Sequence, residues 1–222
     1  MLTEDCRTES LHRSRYSLGE EIANSVTHGI GWLLSAGGVG LLVTLAALTG
    51  GAMRIVSVSV FGVTLVLLYA ASTMYHALAN ERAKRVFKIL DHSAIFLLIA
   101  GTYTPLALVR LGGPRGWILF GGIWFLAVVG VLITALRIDS LRWLAVILYV
   151  AMGWSVVVVL KPLFAVMETS SLVLLIAGGL AYTLGLVFFL WRRLPYGHMV
   201  WHLFVLCGSV LHFIAILFAV AL

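Results

Sequence analysis

Five residues of this chain are of the types that hold and use a metal ion, and they sit at helical spacing inside apolar sequence. Ser72 and His76 lie in S-T-M-Y-H, Asp91 in I-L-D-H-S, and His198 and His202 in G-H-M-V-W-H. His198 and His202 are four apart, so on a helix they share one face with a rise of about 6 Å. Two imidazoles at that spacing can grip one ion, and His76 supplies a third. Three protein ligands leave the fourth tetrahedral position open to water, the pattern of catalytic rather than structural zinc. Zinc lowers the pKa of such a water towards neutrality. Asp91 is placed to accept a ligand His N–H or to take a proton from that water. Ser72, four residues before His76, puts its hydroxyl one turn deeper on the same face.

The elements that carry these groups are set by composition. The 222 residues are 62% hydrophobic and only 11% charged, with a mean hydropathy of +1.08. A soluble domain of this size could not solvate such a surface. Apolar runs of bilayer-crossing length, about 20 residues, recur at 28–49, 55–78, 89–109, 116–136, 142–160, 171–191 and 198–221. They are continuous rather than alternating, which excludes barrel strands of about ten residues. A helix also pairs its own backbone within one segment, as lipid requires. The expected fold is an all-α integral membrane protein, a seven-helix transmembrane bundle over 28–222. Residues 1–27 form a cytoplasmic tail with a short interfacial helix.

Basic residues orient the bundle. The N-terminal tail and the 2–3, 4–5 and 6–7 loops carry eleven Lys and Arg, against four (Arg54, Arg110, Arg115 and Lys161) on the other side. The excess marks the cytoplasmic face, so the N-terminus is expected inside and the C-terminus outside. The net charge of +6 then belongs to topology, and no nucleic-acid partner is expected. Ser72 and His76 fall in the cytoplasmic last turns of span 2. Asp91 opens span 3, and His198 and His202 open span 7. Three helices thus deliver all five groups to one layer, and ionisable groups inside a membrane are functional candidates by default. Reporters fused to each terminus check the orientation: an N-terminal fusion should report cytoplasm and a C-terminal fusion the outside. A cytoplasmic C-terminus would remove the depth argument.

The remaining polar residues are ordered around this layer. Ser17-x-x-Glu20 reads as a capping box for the interfacial helix that leads into span 1. Glu20, Asn24 and His28 fall on one face of it; a supporting role at the site is the lesser reading of His28, whose loss is expected to leave the metal largely in place. His92 is expected to be interfacial, facing away from Asp91. His212, about 15 Å beyond His202 on one helix, is expected to be a hydrogen-bonded core histidine. Pro105 should kink span 3, with Thr102 and Thr104 satisfying freed carbonyls. Gly37, Gly38, Gly40, Gly178 and Gly179 should allow close packing. Trp117, Trp143, Trp191, Tyr196 and Trp201 read as interfacial belts. The polar first 17 residues are unlike a signal peptide. Cys6 and Cys207 lie too far apart to pair, so no disulfide or redox role is expected.

Each site residue has a plainer reading. The histidines could face headgroups, Asp91 could favour the positive end of its helix, and Ser72 could bond back to its own backbone.

The motifs resemble the haemolysin III proteins of bacteria, a branch of the progestin and adipoQ receptor family that includes the adiponectin receptors. The likeness rests on E-E-I-A-N-S-V-T-H-G before span 1 and on S-x-x-x-H in span 2. It continues in D-H-S-A-I-F-L-L-I-A-G-T-Y-T-P of span 3 and in G-H-x-x-W-H of span 7. It covers nearly the whole chain, without departure at the five site positions. The resemblance implies seven helices, an internal N-terminus, zinc on His76, His198 and His202, and catalytic or supporting roles for Ser72 and Asp91. Its eukaryotic members look like lipid amide hydrolases of the ceramidase type, whereas the bacterial name records cell lysis. Three functions therefore stand. The first is a zinc-dependent hydrolase of a membrane lipid amide or ester in the bacterial inner membrane, its acyl tail among spans 2, 3 and 7. The second is a sensor or regulator with structural zinc. The third is a lytic protein, although a pore needs polar positions along several helices and here the charges gather at one face.

Overall fold

The computed structural model describes residues 16–136, 141–191 and 193–221. The tail expected over 1–15, with Cys6, and the loop residues Arg137 and Arg192 lie outside the described residues. Seven helices are long and apolar enough to cross a membrane, and the described residues contain no strand. We label these spans α1 (Leu18–Thr49), α2 (Ala52–Ala77), α3 (Glu81–Leu111), α4 (Gly113–Ala135), α5 (Trp143–Phe164), α6 (Thr169–Leu190) and α7 (Gly197–Ala221).

Two spans start well before their apolar runs. Ser17 forms the expected capping box with Glu20: the Ser17 hydroxyl accepts from Glu20 N, and the Glu20 carboxylate accepts from Ser17 N. The helix it starts runs unbroken to Thr49, so no joint separates an interfacial helix from span 1. Likewise Asn80 caps α3 by accepting from the backbone N–H groups of Arg82 and Ala83. The basic residues read as a 2–3 loop, Arg82, Lys84, Arg85 and Lys88, are thus the first two turns of α3. The links are short. Gly50 and Gly51 join α1 to α2 at φ of 92° and 96°, which only glycine adopts cheaply.

α1 packs against α2 and α2 against α3, with Phe61 and Tyr69 of α2 and Phe96 of α3 fully buried. Close approach is made by Gly62 against Val39, Gly101 against Thr64 and Gly130 against Phe96. Of the glycines expected to do this, Gly38 meets the Phe213 ring and Gly178 meets His212. Gly37, Gly40 and Gly179 face open space. The outward faces carry bare apolar side chains such as Leu33, Ile118 and Val158, as a lipid-facing surface requires.

Three spans change their hydrogen-bond ladder along their length, α7 by ending in a π-helical stretch, Leu217–Ala221. At Pro105 the α-helical part of α3 ends, and Leu106–Leu111 continue as a π-helical turn. Thr102 and Thr104 donate to Leu98 O and Ala100 O, so they do not serve the Gly101 carbonyl that the proline leaves without its usual partner. In α5 the α-helix Arg142–Trp154 passes into a 3₁₀ stretch, Ser155–Val159. Tyr103 of α3 bridges the change: its hydroxyl donates to Gly153 O at 2.8 Å and accepts from Val156 N at 2.6 Å.

Candidate metal centre

The starts of α1, α3 and α7 and the end of α2 meet at one end of the bundle. There the structure gathers His76, His198 and His202, which each offer one ligand atom within 4.8 Å of the others. The i, i+4 pair on α7 stands with ring centroids 4.5 Å apart, and His76 lies 5.2 Å from each. His76 and His202 are buried and His198 half-buried. His76 reaches inward because it follows buried Tyr69 and Ser72 along one face of α2.

The ring orientations fit an ion. His76 Nδ1 lies 2.6 Å from Glu21 Oε2. A carboxylate only accepts, so Nδ1 donates here and Nε2 is the ring atom left for an ion. That Nε2 is buried with no hydrogen-bond partner among the described residues, the state of an atom aimed at a ligand. His202 Nδ1 donates to Asn24 O at 3.2 Å, which leaves its Nε2 as the ring atom available to an ion. Such support of ligand imidazoles by carboxylates and carbonyls is the usual pattern around bound metals. Three neutral imidazoles suit a borderline-soft divalent ion, so these residues could hold one.

α1 contributes no ligand, yet it touches every element of the site. Its Glu20 Oε1 accepts from Tyr196 N at 3.0 Å, the residue before α7, which is held at φ 54°. A non-glycine residue there costs of order 1 kcal/mol or more, and the cap on Glu20 offsets part of that. Glu21 binds Lys84 of α3 through its other oxygen at 2.6 Å. His28, buried and with no hydrogen-bond partner at either ring nitrogen among the described residues, stacks on His202 with centroids 3.5 Å apart. Tyr16 stacks on His198 at 5.0 Å.

Asp91 and Ser72 stand differently. Asp91 lines a cavity together with His28, His198 and His202, so it faces the space beside the histidines. Ser72 is fully buried one turn from His76 and does not line that cavity. Its Oγ has no partner among the described residues, unlike the neighbouring Thr73, whose hydroxyl donates to Tyr69 O. Ser72 is therefore not bonded back to its own helix. His92 departs from expectation: its Nδ1 donates to Lys88 O, and its ring lies on the cavity wall. His212 Nε2 donates to Leu175 O at 3.0 Å, as expected of a core histidine.

The cavity runs from the histidines along α7 to His212, about 15 Å further on. Its walls are α3, α5, α6 and α7, with Ile95, Ile99, Leu186 and Val205 among the apolar residues. Of the spans 2, 3 and 7 expected to flank an acyl tail, α3 and α7 line this cavity and α2 contributes Leu68, with α5 and α6 closing the far side.

The sequence matches the family model described as "Haemolysin-III related" over residues 16–213. It is 43% identical to "Hemolysin-3" of Bacillus cereus over 213 residues, 96% of this chain and 97% of that protein. It is 41% identical to "Hemolysin-3 homolog" of Bacillus subtilis (strain 168) over 203 residues, 91% and 95% of the two chains. With "Monocyte to macrophage differentiation factor" of Homo sapiens it shares 29% identity over 163 residues, 71% of this chain and 67% of that one.

Proposed function

The chain belongs to the haemolysin-III related family, and from that premise we propose that it is a zinc-dependent hydrolase of a lipid amide or ester. It acts in the bacterial inner membrane, with its site in the cytoplasmic leaflet and its N-terminus inside. One observation supports this reading above the rest: the three-histidine cluster opens into an apolar cavity whose wall also carries Asp91. A structural zinc is commonly closed by four protein ligands, whereas catalytic sites keep three and an open side.

His76, His198 and His202 would hold the zinc, which would supply a Lewis acid to activate water towards a carbonyl. The rest belongs to the chain. Asp91, on the cavity wall beside the ligands, receives the proton released on attack. Ser72, buried one turn from His76 and off the cavity wall, with no partner for its hydroxyl among the described residues, would hydrogen-bond the attacking water from the ligand side of the site. The walls of α3, α5, α6 and α7 exclude water and align an acyl tail with the carbonyl at the histidine end. Turnover by such a site alters membrane lipid composition and hence bilayer order.

Purified full-length protein in vesicles should hydrolyse an N-acyl lipid amide or a lipid ester. Chelator should stop the reaction and zinc should restore it. Zinc-loaded protein that leaves every such lipid intact would overturn the hydrolase reading in favour of a sensor with structural zinc.

A further inference from the structure

We propose that Glu21 is a positioning residue for the metal, acting through His76, and that Lys84 holds it in place. The inference rests on the metal reading and adds a residue to it.

The argument starts from burial. Glu21 is 8% exposed on a membrane-spanning helix, and an acidic group in such a place needs partners to offset its lost hydration. Its two oxygens face two different elements. Oε1 lies 2.6 Å from Lys84 Nζ, and Oε2 lies 2.6 Å from His76 Nδ1. With Oε1 taken by the ammonium, the carboxylate meets the imidazole in one orientation. Nδ1–H then donates to Oε2, which fixes both the tautomer and the rotation of the ring. The only ring atom left for an ion is Nε2, and that atom is buried with no other partner among the described residues.

Two consequences separate this from an ordinary helix tie. A hydrogen-bonded carboxylate raises the basicity of the imidazole it orients, so metal is held more tightly. It also removes the penalty of selecting one tautomer and one rotamer when the ion arrives. Glu20, one residue earlier, reaches Tyr196 N instead. The two acidic residues of this turn thus serve different elements.

The test uses full-length protein stripped of metal and titrated with Co²⁺, whose absorption reports its ligands, and with Zn²⁺ in competition. Glu21→Gln should weaken binding about 10–100-fold, the usual loss when such a partner is removed. It should also change the Co²⁺ spectrum at saturation, because the orientation and donor strength of His76 change. Loosened packing alone would lower stability without altering the saturated spectrum. Ser25→Ala removes a different α1–α2 contact, Ser25 Oγ to Thr73 O, and should leave affinity and spectrum as in the wild type. Wild-type affinity and spectrum in Glu21→Gln, with binding lost in His76→Ala, would overturn the proposal while the metal reading survives. A wild-type protein that binds neither ion overturns both. If Glu21→Gln does not fold, Lys84→Met, which keeps the carboxylate but frees Oε1, takes its place. Weakened binding supports the proposal, and unchanged binding overturns it.

Discussion

Alanine at any one of His76, His198 or His202 should abolish metal binding at the proposed centre. Purified wild-type protein should carry about one zinc per chain, and each single variant close to none, because two imidazoles hold zinc poorly. The geometry makes the three equivalent in this respect: every ligand atom lies within 4.8 Å of the others, and no fourth histidine or acidic residue joins that group among the described residues. His212→Ala is the internal control. It sits on the same helix but donates to Leu175 O, so its loss should leave zinc at the wild-type level. Metal analysis of all four variants decides the matter, and equal zinc throughout would refute the assignment of the ligands.

Asp91→Asn should keep zinc and lose turnover. The amide is close in shape to the carboxylate but does not accept a proton. Loss of a general base costs roughly 10²–10⁴-fold in rate. Asp91 is outside the ligand group yet on the cavity wall beside it, which is why its two effects should separate. The measurement is zinc content and lipid turnover on one preparation. Full turnover in the variant would make Asp91 structural, and a fall in zinc matching the fall in rate would make it part of the binding site.

The five residues first singled out by spacing fall in one region of the bundle, and the reason is physical. In a chain where almost every membrane position is apolar, an imidazole or a carboxylate stands out, and counting turns from the span ends gives its depth. The seven spans were legible for the same reason. Their boundaries were less so. Hydropathy detects the lipid-facing length of a helix, but α1 begins at Leu18 and α3 at Glu81, in polar turns that a capping serine and a capping asparagine start.

That error hid Glu21. With span 1 starting at residue 28, Glu20 reads as the acid of a capping box in line with Asn24 and His28, and Glu21 has no role. The inward stripe is instead Glu21, Asn24 and His28, at i, i+3 and i+7, an equally helical spacing. The signal for it is chemical: of two adjacent acids on a helix entering the membrane one turns inward and needs a cationic partner, which Lys84 supplies. His92 was misplaced in a similar way: as the neighbour of Asp91 it was assigned to the opposite face, whereas the cavity is wide enough for both to border it.

The phenol of Tyr103 has a consequence of another kind. Where α5 leaves its α-helical register, the carbonyl of Gly153 and the amide of Val156 are both served by that one hydroxyl from α3. In hydrocarbon each such group left bare costs several kcal/mol. The continuity of one wall is therefore inherited from a neighbour's side chain rather than encoded in its own sequence. The two spans form a single unit of exchange: grafting α5 into another scaffold without its borrowed rung would carry along a break in the backbone that nothing in the graft could mend.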